Sequence, residues 1–110
     1  MKLAIVGSRS LTNITLEQYV WKDVEEIVSG GAVGVDFCAA EYAKREGLRL
    51  TQFLPQYKRY GRAAPIVRNK EIVDYADEIL IFWDGKSKGT LSVIKYAQKT
   101  GKPYEIIHCD

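Results

Sequence analysis

The sequence of 110 residues is poor in the side chains that bind metals or form disulfides, with two cysteines and one histidine. Two cysteines, Cys38 and Cys109, are too few for the disulfide framework of a small secreted protein. His108 precedes Cys109 directly, but this close to the end of the chain a frayed terminus is favoured over a metal-binding pair. We therefore predict no metal site, no resident cofactor and a reducing, cytoplasmic environment.

Long hydrophobic runs are also missing. No apolar stretch approaches the roughly 20 residues that span a bilayer, so we expect no membrane association. The opening MKLAIVGSRS contains an apolar run of only about five residues, which favours a first buried strand over a signal peptide. The hydrophobic content of 46% and charged content of 27% are typical of globular proteins, and the length predicts one domain, residues 1–110.

The net charge of +2 is too small to require a nucleic-acid partner, but its distribution is uneven. Six basic residues and no acidic residue lie between Gly47 and Lys70: Arg49, Lys58, Arg59, Arg62, Arg68 and Lys70 itself. Such a segment can concentrate anions locally. The alternative is a solvated face, which we favour for Arg49 and Lys70.

Apolar runs and helical periodicities alternate along the chain. They predict strands at residues 3–6, 24–28, 48–54, 78–83 and 104–107, and helices at 15–22, 34–46, 61–76 and 90–100. No hairpin signal joins adjacent strands. This alternation predicts an α/β fold, a three-layer Rossmann-like sandwich of about five parallel strands with helices on both faces.

Three loops rich in glycine and small polar residues follow predicted strands: GSRS after the first, SGGAVGVD after the second and DGKSKGT after the fourth. If the first strand lies between the second and the fourth, these loops meet at the topological switch point, where open α/β sheets bind ligands. Their glycines would let the backbone approach a ligand closely.

The DGKSKGT loop precedes a helix and combines Gly85 and Gly89 with the hydroxyls of Ser87 and Thr90. The N–H groups and dipole of a helix N-terminus favour phosphate. The alternative is a capped helix start, with Ser87 or Thr90 as the N-cap. The spacing differs from that of a Walker A motif, because only three residues separate the glycines and no lysine precedes Thr90.

The other two loops supply charged residues. Arg9 of the GSR segment can clamp a phosphate at the end of a buried strand, although a surface arginine is the alternative. The spacing GGxxG of the second loop differs from the dinucleotide fingerprint GxGxxG. Asp36, which ends this loop, is interpreted as a helix cap or as a ligand of a sugar hydroxyl, and base rates favour the cap.

The segment PQYKRYGRAAPIVRNK supplies amide and aromatic candidates. Helical spacing places Asn69 on an apolar face with Ile66, Val73 and Ala76, where its amide needs a partner, either a neighbouring loop or a ligand. Tyr57 and Tyr60 alternate with Lys58 and Arg59, a mixture suited to base stacking. Trp83, at the end of the fourth strand, is a further stacking or core candidate.

Taken together, GSR, SGGAVGVD, PQYKRYGRAAPIVRN and FWDGKSKGT resemble the YspA-like (cpYpsA-related) branch of the SLOG superfamily. These Rossmann-like domains are related to the cytokinin-activating LOG proteins, and the resemblance covers nearly the whole chain. It implies that a nucleotide or nucleotide-derived ligand binds in the pocket formed by these loops. The candidate ligand-binding residues are Gly7, Ser8, Arg9, Ser29, Gly30, Gly31, Gly34, Asp36, Tyr57, Tyr60, Arg68, Asn69, Trp83, Asp84, Gly85, Ser87, Gly89 and Thr90.

Two better-known relatives provide alternatives. LOG-like enzymes cleave the N-glycosidic bond of nucleoside monophosphates and carry a GGxGTxxE segment, but Val93 stands where this pattern requires glutamate, and Asp84 or Asp36 would have to substitute. DNA-processing protein A, a single-strand DNA binder, has SGxAxGID and RRN segments similar to SGGAVGVD and VRN. The low net charge makes nucleic acid the less favoured partner. LOG-like relatives are commonly dimers, so we expect a homodimer.

Overall fold

The computed structural model describes residues 1–12, 14–20 and 23–109. The strands are β1 (Lys2–Gly7), β2 (Glu26–Ser29), β3 (Arg49–Gln52), β4 (Glu78–Trp83) and β5 (Tyr104–His108). The helices are α1 (Val35–Arg45), the single turn α2 (Tyr57–Tyr60), α3 (Ala64–Tyr75) and α4 (Lys88–Thr100), with a 3₁₀ turn at Gly61–Ala63 between α2 and α3.

All five strands are parallel and lie in the order β3-β2-β1-β4-β5. In β1, Leu3 pairs with Ile27 of β2 on one side and with Glu78 of β4 on the other. The predicted α/β sandwich is thereby confirmed, with β1 in the centre. The chain proceeds from β1 toward one edge of the sheet and from β4 toward the opposite edge, so the switch point lies between β1 and β4.

The sheet is covered on both faces, which explains why β1 and β4 are continuous apolar runs. On one face, Leu3 and Ile5 pack with α1 and with the segment that precedes β2. On the other face, Ala4 and Val6 pack with α3 and α4. The carboxyl ends of β1, β2 and β4 meet at one edge of this three-layer core.

The helix predicted at residues 61–76 is α3, at Ala64–Tyr75, and the first three predicted residues form the 3₁₀ turn that precedes it. Gly61 adopts a left-handed φ of 58° and ends the short helix α2, which lies before the predicted bounds. Pro65 lies in the first turn of α3, where the missing N–H of proline costs no helical hydrogen bond.

The short helix predicted at residues 15–22 is replaced by a turn in the part that the structure describes. The N–H groups of Tyr19 and Val20 both donate to the carbonyl of Leu16, at 2.9 and 3.1 Å. Residues 21 and 22 lie outside the described part. Leu16 is buried in the core beneath this turn. A helix this short has little stability of its own, so the buried leucine decides the local path.

A buried glutamate lies at the amino edge of the sheet, opposite the glycine-rich loops. Glu26 is 4% exposed, and its Oε2 accepts hydrogen bonds from Thr51 at 2.8 Å and Tyr75 at 2.6 Å. Burial raises the pKa of Glu26, but these hydrogen bonds and the charges of Arg49 and Lys2 lower it more, so the net pKa is below the ordinary value. These partners thus offset the cost of burying the Glu26 carboxylate within β2.

Across the residues that the structure describes, no helix combines the length and apolar character needed to cross a membrane.

Candidate functional site

A cleft of about 380 Å³ opens at the carboxyl edge of the sheet, beside the switch point between β1 and β4. Its walls come from the end of β1, the loop after β2, α3 and the start of α4. Nine of the eighteen predicted site residues line it: Gly7, Arg9, Asp36, Tyr57, Arg68, Asn69, Ser87, Gly89 and Thr90. The three glycine-rich loops therefore do meet at one edge, as the strand order requires.

The start of α4 forms one end of the cleft. Ser87 is the N-cap residue, and its Oγ accepts hydrogen bonds from the Thr90 N–H at 3.2 Å and from the Thr90 hydroxyl at 3.1 Å. The capping alternative for Ser87 is thus observed. Both residues still line the cleft, so the positive end of the α4 helix dipole points into the cleft.

Gly89 is the second residue of α4 and lines the cleft. A Cβ added at this position would meet only Ser87 Oγ, at 4.0 Å. Its φ is not left-handed, so neither packing nor backbone conformation requires glycine. Glycine in a helix interior normally reduces stability by about 1 kcal/mol relative to alanine. Gly89 therefore leaves the backbone at the start of α4 open to the cleft.

Asp84 organises the loop that leads into α4. Its carboxylate accepts hydrogen bonds from the backbone N–H groups of Lys86 at 2.8 Å and Ser87 at 2.9 Å, and from the Ser10 hydroxyl at 3.0 Å. The two backbone hydrogen bonds lower the pKa of Asp84 most, to about 2. The buried Ser8 accepts the Asp84 N–H at 3.2 Å. Ser8 and Asp84 thus connect the loop after β1 to the loop after β4, and neither residue lines the cleft.

Of the three aromatic candidates, only Tyr57 lines the cleft, where its side chain is exposed. The Trp83 indole donates to the carbonyl of Ser87 at 3.1 Å, so it supports the loop before α4 from outside the cleft. Tyr60 stacks against the guanidinium of Arg59, with 5.2 Å from Cζ to the ring centroid.

Four glycines outside the cleft shape the loops around it. Gly85, with a φ of 80°, permits the turn before α4. Gly34 has a φ of 75°, and a Cβ there would lie 2.6 Å from the carbonyl oxygen of Arg9, so glycine is required for close packing of the first two loops. Gly31 has a φ of 72° and lies against Leu54, beside the cleft rather than in it. Gly30 lies against the guanidinium of Arg68.

Asp36 is the second residue of α1 and does not cap that helix. The N-cap is Gly34, which has no side-chain hydrogen bond, and Oδ2 of Asp36 instead accepts the N–H of Ala32 at 3.2 Å. The Ser29 hydroxyl, which is fully buried, accepts the Gly31 N–H at 3.3 Å. The two side chains hold the glycine-rich loop from both ends, but only Asp36 reaches the cleft.

Arg68 of α3 holds the same loop from across the cleft. Its Nη1 donates to the carbonyl of Gly30 at 2.8 Å, and its Nε donates to Oδ1 of Asn69 at 2.9 Å. A Cβ on Gly30 would lie 2.6 Å from Nη1, so glycine leaves room for the guanidinium. The predicted need of Asn69 for a partner is therefore met by a neighbouring side chain at the cleft wall.

The charge of the cleft comes from two arginines and one carboxylate. Burial raises the pKa of Asp36, while the backbone hydrogen bonds from Ala32 and Gly30 and the charges of Arg68 and Arg9 lower it. Burial dominates, and the net pKa lies above the ordinary value. With Arg9, Arg68 and the α4 dipole opposed by one acid, the cleft favours an anion.

The sequence interpretation missed the apolar floor, to which Val6, Ile72 and Val93 contribute. Helical spacing could have identified Ile72, since it follows Arg68 by four residues. The assignment of Ile66 to the buried face of α3 was wrong, because its side chain is 49% exposed. At the start of α3, Pro65 lines the cleft instead.

Metal chemistry has no obvious location in the described ranges, where no group of three or more His, Cys, Asp or Glu side chains is arranged to hold an ion.

Comparison with known proteins gives one informative match. The chain is similar to the Gene 61 protein of Mycobacterium phage D29, with 37% identity over 83 residues. The alignment covers 70% of this chain and 66% of the phage protein, so the chain spans just under two thirds of that relative. No family model matches the sequence, and no solved structure matches it. The name of the phage protein indicates no ligand or activity.

Proposed function

We propose that the protein binds a nucleotide or nucleotide-derived ligand in the cleft at the switch point, and that it belongs to the YspA-like branch of the SLOG superfamily. One observation carries the proposal: the start of α4, opened by Gly89, faces the same cleft as Arg9 and Arg68. Backbone N–H groups at a helix start and arginine side chains are the donors that proteins use for phosphate.

The roles within the cleft follow from what each side chain already contacts. Arg9 is exposed and binds the phosphate together with the first turn of α4. Arg68 already donates to Gly30 and Asn69, so its contribution is mainly to hold the wall of the cleft and to add positive charge. Tyr57 offers an exposed ring on which a base stacks.

The apolar side chain of Val93 supports binding without hydrolysis. It lines the cleft at the position where the LOG-like pattern places a glutamate. General acid–base chemistry needs a group that can hold or release a proton, and valine cannot do so. We therefore favour a binding or sensing domain over a nucleotide N-glycoside hydrolase.

A thermal-shift screen with ribonucleoside 5′-monophosphates and ADP-ribose tests the proposal. At about 100 times its dissociation constant, a ligand adds about 2.7 kcal/mol to the free energy of unfolding, which is a rise in Tm of about 10 °C. No shift with any of these compounds would contradict the proposal. Free base detected by chromatography would instead indicate the hydrolase. Oligonucleotide binding with a salt dependence equivalent to several phosphates would indicate the single-strand DNA module.

Two substitutions locate the site, each with a matched control. Arg9→Ala removes a positive charge from the cleft, whereas Arg59→Ala removes one outside it. Gly89→Val fills the opening at the start of α4, whereas Ser92→Val adds a β-branched side chain on the same helix away from the cleft. We expect Arg9→Ala and Gly89→Val to abolish the ligand-induced shift, since the space around position 89 lets the apo fold accept the valine. Normal ligand binding by both variants would show that the cleft is not the site.

A further inference from the structure

Asp36 is a buried carboxylate in a cleft that otherwise attracts anions. Asp36 is only 8% exposed, yet it lines the cleft. Burying a carboxylate is costly unless partners compensate for lost hydration. Here the compensation is incomplete, since burial outweighs the backbone hydrogen bonds from Ala32 and Gly30 and the two arginine charges and leaves the pKa above its ordinary value. Folding alone therefore gains little from an acid at this position.

The local backbone does not require the acid either. Asp36 is not the N-cap of α1, and its carboxylate accepts backbone hydrogen bonds from Ala32, at 3.2 Å to Oδ2, and from Gly30. The carbonyl oxygen of an asparagine side chain, which has two lone pairs, also accepts hydrogen bonds from backbone N–H groups. What distinguishes aspartate is a second acceptor oxygen and a negative charge, and both favour a donor group.

An ionised carboxylate only accepts hydrogen bonds, and its two oxygens provide about four acceptor positions. The N–H groups of Ala32 and Gly30 use about two of these, which leaves the others for a further donor. The carboxylate repels phosphate, so the part of the ligand beside it is a neutral one that carries donors. In a nucleotide whose phosphate lies at the start of α4, the sugar hydroxyls are such donors.

We propose that Asp36 accepts hydrogen bonds from the 2′- and 3′-hydroxyls of a ribose, so that the cleft selects ribonucleotides over deoxyribonucleotides. This inference rests on the proposed function and specifies its ligand class. The size of the cleft, about 380 Å³, is near the lower end of ligand pockets and suits a mononucleotide. Two arginines opposed by one carboxylate also suit one phosphate better than a triphosphate.

The test measures dissociation constants by calorimetry for ribonucleoside 5′-monophosphates and for their 2′-deoxy and 3′-deoxy counterparts. Hydrogen bonds to charged groups contribute enough that the wild-type protein should bind each deoxy compound at least about tenfold more weakly. Asp36→Asn should reduce this ratio to about one to three, because asparagine lacks the charge and one of the acceptor oxygens that the ribose hydroxyls would use. Glu41→Gln, an exposed substitution on the same helix, should keep the wild-type ratio.

The possible results separate the inference from the proposed function. Equal binding of ribo and deoxy compounds by the wild-type protein would overturn the role of Asp36 but leave nucleotide binding intact. A ribose preference that persists in Asp36→Asn would assign the preference to another residue. Absence of binding by every nucleotide would overturn both. The comparison of ribo and deoxy compounds in the wild-type protein does not depend on whether any variant folds. Because Asp36→Asn removes a buried charge, we expect the Tm of this variant to equal or exceed that of the wild type at neutral pH.

Discussion

Gly30→Ala separates the contribution of the glycine-rich loop to folding from its contribution to the cleft. A Cβ at position 30 would lie 2.6 Å from Nη1 of Arg68 and 2.9 Å from Oδ2 of Asp36. Both atoms are at the ends of side chains, and the longer one can rotate away. The φ of Gly30 is not left-handed, so alanine is compatible with the backbone. The substitution should therefore displace Arg68 without distorting the core.

The expected change in stability is small because two effects oppose each other. Displacing Arg68 removes its 2.8 Å hydrogen bond to the Gly30 carbonyl. A bond from a charged donor contributes about 1.5–3 kcal/mol, and we take the lower end because the half-buried guanidinium regains water. Alanine restricts the unfolded chain and returns about 0.4–1 kcal/mol. The net loss in the free energy of unfolding should be about 0.5–1 kcal/mol.

Gly7→Ala provides the contrast in the same cleft. A Cβ there would lie 2.5 Å from the carbonyl oxygen of Phe82 and 2.6 Å from Cγ2 of Val35, both within the packed core. Overpacking of this kind costs about 1–3 kcal/mol or more. Unlike Arg68, these neighbours cannot swing into solvent. Gly7→Ala should consequently be the more destabilising of the two substitutions.

Urea denaturation of both variants, together with the thermal-shift assay, measures the two effects. We expect Gly30→Ala to lose at least about tenfold in mononucleotide affinity, because Arg68 leaves the wall and the new methyl group crowds Asp36. A loss of stability in Gly30→Ala as large as that in Gly7→Ala would refute the idea that only a side chain must move. Unchanged ligand affinity would refute the assignment of Arg68 and its loop to the cleft.

Two further substitutions test contacts that support the fold. The lowered pKa of Glu26 means that its ionised form adds stability above the ordinary pKa of 4.5, and that this stability is lost as the pH falls through the folded-state pKa. Tyr75→Phe should therefore lower Tm more at about pH 7 than at about pH 3 in calorimetric scans. An equal loss of Tm at both pH values would show that the ionised Glu26 carboxylate is not the source of the stability that Tyr75 adds. Ser87→Ala removes the cap of α4 and should cost about 1 kcal/mol, or about 5 °C in Tm, whereas Ser87→Asp should retain most of it. A Tm unchanged in Ser87→Ala would show that the cap carries no stability.

The strands and the parallel α/β class were predictable because they depend on local patterns of apolar residues and on the alternation of strands with helices. The run EILIFW is β4 at the predicted bounds, Glu78–Trp83, since a strand buried on both faces needs an uninterrupted apolar sequence. The predicted meeting of the three loops follows from β1 lying between β2 and β4. The segment before β2 was less predictable, because burial of Leu16 outweighs a weak local helix preference there.

Half of the candidate site residues do not line the cleft. Ser8, Trp83 and Asp84 have the residue types expected of a ligand site, but Ser8 and Asp84 make hydrogen bonds that hold one loop against another, and Trp83 makes one within the loop before α4. Composition and spacing do not distinguish a hydroxyl that faces a cavity from one that faces a neighbouring loop. That difference depends on the direction of each side chain after the loops have packed.

The sequence by itself determined the α/β class and the placement of glycine-rich loops after the strands, because hydrophobic periodicity reports burial directly. The central position of β1, which brings those loops together, is a property of the folded sheet. Only the tertiary structure decided that Arg68 holds the carbonyl of Gly30, 38 residues away, and that Asp36 lies buried beside it instead of capping α1. Contacts of this kind join residues that are distant in the chain, and their geometry exists only once the sheet has brought α1 and α3 to the same edge.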